Sequence, residues 1–160
     1  MSTTMIKVAT IIAALFFFYG CADKSAYSKF GLNSDEERAF DNVKVTYFST
    51  KEGKNIAVMA AVHLNAVYPK RCKENECFYL LFIPKEKRLL RQMHLTLNDH
   101  PVLELKKLPS KNEYAHLLNM EAKWSDFYFA RFAKENNTTL LLHVEIGEKA
   151  SANVTFEKTQ

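Results

Sequence analysis

Two of the three cysteines, Cys72 and Cys77, lie close together with four residues between them. Two cysteines this close in sequence can form a disulfide, bind a metal ion or act as a redox pair. A tetrahedral zinc site needs four ligands, and His63 and His94 are too distant in sequence to suggest that they complete the set. A redox motif has two residues between its cysteines rather than four. We therefore predict a disulfide between Cys72 and Cys77.

Histidines are the other candidate chemical groups. His94 and His100 lie in a region of predicted turns, and without a nucleophile nearby in sequence they are typical of surface or turn histidines. The chain also lacks the G-x-S-x-G motif of hydrolases, the H-E-x-x-H motif of zinc enzymes and a glycine-rich phosphate loop. The sequence therefore predicts no enzymatic activity, no cofactor and no metal site.

A candidate modification site is Asn137, within the segment Glu135–Thr139 (ENNTT). This segment resembles the extended acidic sequon of Campylobacter-type N-glycosylation, with Glu135 two residues before the asparagine and Thr139 two residues after it. The composition predicts an accessible turn. Glycosylation of Asn137 is therefore a hypothesis, and a mass spectrum of the native protein that contains only the unmodified peptide would reject it.

The first 21 residues indicate the compartment in which these groups lie. Lys7 is the only charged residue among them, and Val8–Tyr19 is apolar apart from Thr10. This run of 12 residues is too short to span a bilayer core of about 30 Å, which needs about 20 helical residues. It is typical of a secretory signal peptide, and export to an oxidising compartment favours the disulfide.

The segment Phe18–Cys21 (FYGC) resembles the lipobox of bacterial lipoproteins, in which a small residue precedes a cysteine that is lipidated. Gly20 and Cys21 match this pattern, whereas Phe18 and Tyr19 replace the usual leucine and small residue. The resemblance implies cleavage after residue 20, lipidation of Cys21 and a membrane anchor. Because Ala22 rather than an aspartate follows the cysteine, it also implies the outer membrane of the cell envelope. An uncleaved anchor and an ordinary secretory signal are the alternatives.

The chain after the signal peptide predicts one domain. Residues 21–40 comprise the cysteine that is predicted to be lipidated and a mainly polar segment. This composition indicates a flexible spacer, with a short helical turn at Ser34–Phe40. Residues 41–160 are long enough to bury a sizeable core. Without Lys7, 21 basic residues face 18 acidic ones, a net charge of +3, and the two signs are interspersed. This balance argues against nucleic acid as a partner.

Apolar and polar residues alternate in a pattern that predicts mainly strands. Hairpin turns are predicted over Lys51–Lys54 and Asn98–Pro101, and Trp124 and Tyr128 are predicted to fill the core. The predicted strands are Val43–Phe48, Ile56–Tyr68, Phe78–Ile83, Met93–Leu97, Val102–Leu108, a strand ending at Trp124, Phe127–Phe132, Leu140–Ile146 and Ala152–Glu157.

The strand predicted over Ile56–Tyr68 is apolar on both faces where it begins. A central strand that is covered on both faces is one interpretation, because exposed apolar patches are rare on monomers. The other is a surface that associates with another envelope protein or with a second copy of the chain, as in a homodimer. The residues that would form this surface are Met59, Ala61, His63 and Val67.

A series of short strands that closes with a hairpin, without a convincing long helix, predicts an all-β fold, an antiparallel β-sandwich. The hairpin resembles the last one of immunoglobulin-like sandwiches, in a variant without the Cys-Trp-Cys core, and a small barrel is the alternative. Together with the lipobox, the chain resembles small immunoglobulin-like lipoproteins of the Campylobacter and Helicobacter group. The resemblance implies a membrane-anchored, non-enzymatic interaction or adhesion module. A carrier that binds a small apolar or lipid ligand between its sheets is the alternative function.

Overall fold

Nine β-strands form two antiparallel sheets in the computed structural model, which describes residues 31–119, 122–147 and 150–158. They are β1 (Val43–Ser49), β2 (Asn55–His63), β3 (Asn75–Pro84), β4 (Met93–Leu97), β5 (His100–Pro101), β6 (Glu104–Leu108), β7 (Asp126–Ala133), β8 (Thr139–Ile146) and β9 (Ala150–Glu157). Sheet A has the order β1-β2-β3-β7-β6 and sheet B the order β5-β4-β8-β9. The two sheets pack face to face, which confirms the predicted all-β sandwich. The predicted signal peptide and Cys21 lie outside the described residues.

Two α-helices, α1 (Ser34–Asn42) and α2 (Leu64–Val67), occur in the described residues, with 3-10 helices at Lys87–Gln92, Ala115–Leu117 and Ala122–Trp124. Asn33 caps α1, because its side chain accepts hydrogen bonds from two backbone N–H groups while Glu36 accepts one from Asn33. Helix α1 therefore belongs to the folded unit that begins at Asn33, whereas the sequence places residues 34–40 in the spacer. In the described part of the chain, no helix combines the length and the hydrophobicity needed to cross a membrane.

The main core lies between the two sheets. Along β8, Leu140, Leu142 and Val144 are buried and alternate with more exposed residues, as the sequence predicts. Aromatic rings fill the middle of this core: the rings of Phe82 and Tyr128 lie 5.8 Å apart at nearly a right angle. Such edge-to-face pairs pack closely and contribute stability beyond their buried area.

A second apolar layer covers part of the outer face of sheet A. Ala39 of α1, Leu64 of α2 and Leu117 pack there against Tyr79 and Leu81 of β3. Sheet A is therefore buried on both faces over much of its area, which explains why β2 and β3 are apolar on both sides.

The strand predicted over Ile56–Tyr68 ends at His63, where α2 begins. Its four candidate surface residues, Met59, Ala61, His63 and Val67, are only 0, 0, 3 and 1% exposed. Met59 and Ala61 face sheet B, and Val67 packs in the layer that includes α1. These residues therefore lie in the interior of the folded chain, as the central-strand interpretation expects, and do not form a free surface.

The prediction that Met93–Leu97 and Val102–Leu108 pair as a hairpin is wrong, although the predicted turn at Asn98–Pro101 is present. Asn98 and Asp99 adopt φ angles of 46° and 68°, typical of a two-residue hairpin turn, and β5 pairs with β4. The chain then crosses to sheet A, where β6 pairs with β7. Strand β5 has only two residues, and Pro101 has no N–H with which to extend the pairing.

The strand predicted to end at Trp124 is also wrong. Tyr114 and Leu117 are buried three residues apart, a spacing that fits the 3-10 helix found here and not an alternating strand. Trp124 is 69% exposed and does not fill the core, whereas Tyr128, at 8%, does.

Candidate functional site

The candidate site is centred on Glu76, a carboxylate buried at one end of the sandwich. Glu76 is the second residue of β3 and is 0% exposed. Strand β3 lies in the middle of sheet A, so β2 and β7 flank this position. A buried ionised carboxylate is costly unless hydrogen bonds and opposite charges compensate for the lost water.

Four donors provide that compensation for Glu76. His63 Nε2 lies 2.9 Å from Oε2, and Lys158 Nζ lies 2.8 Å from Oε1. Lys134 Nζ and the backbone N–H of Glu135 each approach Oε1 at 3.4 Å. Lys158 directly follows β9 of sheet B, so the network joins the two sheets at this end.

These contacts determine the charge of Glu76. Burial by itself raises the pKa of the carboxyl, but hydrogen bonds from His63 and Lys158 lower it by more, and the pKa falls from 4.5 to about 2. Glu76 is therefore ionised at neutral pH. Because a carboxylate can only accept, Nε2 of His63 carries the proton in their hydrogen bond.

His63 is held in one orientation by this bond and by aromatic neighbours. Its ring stacks on Phe78 at 5.0 Å between centroids and lies 6.1 Å from the ring of Phe156. Glu76 and His63 thus have the geometry of a pair in which a carboxylate orients an imidazole. In catalysis, such a pair activates a nucleophile.

A pocket of about 380 Å³ opens beside this pair. We call it the lysine pocket; its lining residues are His63, Asn65, Ala66, Pro69, Lys73, Glu76, Lys134 and Lys158. None of these carries a hydroxyl or a thiol, so the lining supplies no such nucleophile to His63. The lining instead supplies three ammonium groups, which suit recognition of an anion.

The predicted disulfide between Cys72 and Cys77 is confirmed, and it closes the loop that carries Lys73. The side chain of Asn65 in α2 holds the same loop. Its amide donates to the carbonyls of Cys72 and Asn75 at 2.9 and 2.7 Å, and its oxygen accepts from the N–H of Cys77 at 2.9 Å. The disulfide and this amide together fix one wall of the lysine pocket.

No protein-family model, curated protein or solved structure matches this chain. Across residues 31–119, 122–147 and 150–158, no group of three or more His, Cys, Asp or Glu side chains is arranged to hold a metal ion.

Asn137 lies in an exposed segment between β7 and β8. The acidic residue of its sequon, Glu135, is buried and occupied: Oε1 lies 2.8 Å from His100 Nδ1, and Oε2 accepts from the Asn98 amide at 3.1 Å. A glycosylating enzyme that recognises the Glu135 side chain would have to break these contacts. Glycosylation of Asn137 stays a hypothesis.

A second candidate surface lies on the outer face of sheet A, away from α1. Val45 and Tyr47 of edge strand β1 are 57 and 60% exposed. Tyr47 pairs with Val58 of β2, and Val58 pairs with Ile83 of β3. Val58 and Ile83 are half-buried. We call these four side chains the β1 apolar row.

The sequence singled out His63 but missed Glu76, Lys134 and Lys158. One local signal was available, since Glu76 is an acidic residue at the start of a strand that is otherwise apolar. The two lysines carry no such signal, because they lie among many exposed lysines in the chain.

Proposed function

We propose that the protein is a lipid-anchored lipoprotein of the cell envelope, at the outer membrane, whose sandwich is a non-enzymatic interaction or adhesion module. Its partner is another envelope protein or a second copy of the chain. The anchor rests on the resemblance of the segment ending at Cys21 to a lipobox. The module rests on the β1 apolar row.

The β1 apolar row supports an interaction because its exposure is unusual for a folded monomer. Val45 and Tyr47 lie side by side on one edge strand, and Val58 and Ile83 extend the row into the sheet. Contiguous exposed apolar side chains mark sites of association, and tyrosine is enriched at interfaces. The outward residues of β9, by contrast, include Ser151 and Asn153.

The packing between the sheets supports the module over the carrier. A carrier needs a cavity of at least about 300 Å³ to enclose a small ligand. The ring of Phe78 instead lies 5.7 Å from that of Phe132 and 5.3 Å from that of Phe156. The aromatic side chains that would line such a cavity fill the space themselves.

Photo-crosslinking in intact cells tests the interaction. Benzoylphenylalanine replaces Val45, and a control replaces Lys106, which is exposed on edge strand β6 at the opposite edge of sheet A. We expect a crosslinked adduct at position 45 and none at 106, and we expect Y47K to abolish the adduct. Absence of an adduct at position 45, together with a monomeric mass of the full chain in detergent, would reject the module.

The anchor is tested separately by metabolic labelling with a palmitate analogue. We expect the wild-type chain to be labelled and to fractionate with the outer membrane, and C21S to lose the label. Label on C21S, or none on the wild type, would contradict the proposed anchor.

A further inference from the structure

We propose that the lysine pocket binds a phosphate group. This inference depends neither on the proposed anchor nor on the β1 apolar row. It rests on the charge of the pocket, on the ammonium groups that remain available there, and on the rigid frame that holds them.

The charges that line the pocket do not cancel. Lys73, Lys134 and Lys158 contribute three positive charges against one negative charge on Glu76, which leaves a surplus of two. Glu135 lies nearby, but its carboxylate points towards Asn98 and His100. Even if that charge is included, the pocket keeps one positive charge, and fields of this sign concentrate anions.

Two of the three ammonium groups can turn to a ligand. The ammonium group of Lys158 is already used within the protein, because it donates both to Glu76 and to the backbone oxygen of Glu135. Lys134 lies at the longer distance of 3.4 Å from Glu76, and its side chain is 48% exposed. Lys73 is exposed and has no ion pair among the described residues.

Phosphate matches these donors better than a single carboxylate does. The lysines reach the pocket from the disulfide loop, from the end of β7 and from the end of β9, so they approach a ligand from different directions. A phosphate group carries about two negative charges and three strong acceptor oxygens, whereas a carboxylate carries one charge on two oxygens, so several ammonium point charges are better matched by phosphate. His63 also lines the pocket, beside these lysines.

The frame of the pocket is set before any ligand arrives. The Cys72–Cys77 disulfide and three hydrogen bonds of Asn65 fix the loop of Lys73, while Glu76 orients His63 and Lys158. A preformed site loses less entropy when it binds. The volume of about 380 Å³ exceeds that of one phosphate ion and leaves room for an attached organic group.

The inference is tested by titrating the full chain, in nonionic detergent, with inorganic phosphate. The amide chemical shifts of the protein report the binding. We expect saturable shifts at Lys73, Lys134 and His63 that sodium chloride at matched ionic strength does not produce. K73Q and K134Q should each weaken binding about fivefold, and the double variant more than about tenfold. The control K106Q, on β6, should leave the affinity unchanged.

Two results would overturn the inference: identical shifts in sodium chloride, or an unchanged phosphate affinity in the K73Q/K134Q double variant whose spectrum shows it to be folded. Dihexanoyl phosphatidic acid, a soluble lipid, identifies the source of the phosphate. Tighter binding of this lipid than of inorganic phosphate, lost in the double variant, would assign the pocket to an anionic lipid headgroup. Equal affinities would assign it to phosphate alone.

Discussion

Replacing Glu76 by glutamine separates the buried charge from the shape of its side chain. The pKa of this carboxyl falls from 4.5 to about 2 on folding, because the hydrogen bonds from His63 and Lys158 outweigh the effect of burial. A group whose pKa is lowered by folding stabilises the protein above its unfolded pKa and loses that effect as the pH falls through the folded value. The stabilisation from Glu76 is therefore complete above about pH 4.5 and disappears towards pH 2.

The size of the effect follows from the same two pKa values. At about 1.4 kcal/mol for each pH unit, the difference between 4.5 and about 2 corresponds to about 3 kcal/mol. Loss of one partner from a buried ion pair costs about 3–5 kcal/mol, which agrees with the value obtained from the two pKa values. Domains are stable by about 5–15 kcal/mol, so we expect E76Q to fold with much reduced stability at pH 7.

Urea denaturation of the full chain, repeated from pH 7 to pH 2, measures this difference in the free energy of unfolding. We expect the free energies of unfolding of the wild type and E76Q to differ by about 3 kcal/mol at pH 7 and to converge near pH 2. E113Q is the matched control, because Glu113 forms an exposed ion pair with Arg71 and its loss should change stability little at any pH. A constant difference between wild type and E76Q over this range would refute the reasoning.

Three further predictions concern other features. The double variant C72S/C77S should lower the free energy of unfolding by about 2 kcal/mol in urea, since the disulfide closes a short loop, and an unchanged stability would contradict this. Trp124, the only tryptophan, should be quenched by iodide in the folded protein nearly as strongly as in the unfolded one; strong protection would show that it is buried. The pKa of His143 is raised, first by its hydrogen bond with Asn153, so N153A should lower that pKa in a titration followed by NMR, and an unchanged pKa would exclude the bond as its cause.

Local pattern was sufficient to predict the closing hairpin and the buried strands. Leu140–Ile146 alternates over a full strand, and Gly147, which adopts a φ of 57°, follows it at the turn. Phe78–Ile83 is apolar over its whole length, and Phe127–Phe132 is apolar apart from Arg131, as expected for strands in the middle of a sheet. In each case the signal lies within the segment that forms the strand.

The features that the sequence missed depend on residues far apart in the chain. The partners of Glu76 lie 13, 58 and 82 residues from it, at His63, Lys134 and Lys158, so no short motif brings them together. The crossing of the chain from β5 to sheet A likewise depends on the pairing of β6 with β7. Trp124 was assigned to the core by residue type alone, but Tyr114 and Leu117 occupy the buried positions in that region.

The connection of Glu76 to Lys158 has a consequence for the order of folding. The hairpin of β2 and β3 brings only His63 to the carboxylate, because Lys158 arrives when β9 docks on β8. If β9 docks after the main folding barrier, the ion pair contributes nothing to the folding rate. Its free energy then appears almost entirely in the unfolding rate, so this end of the sandwich determines how long a folded molecule persists.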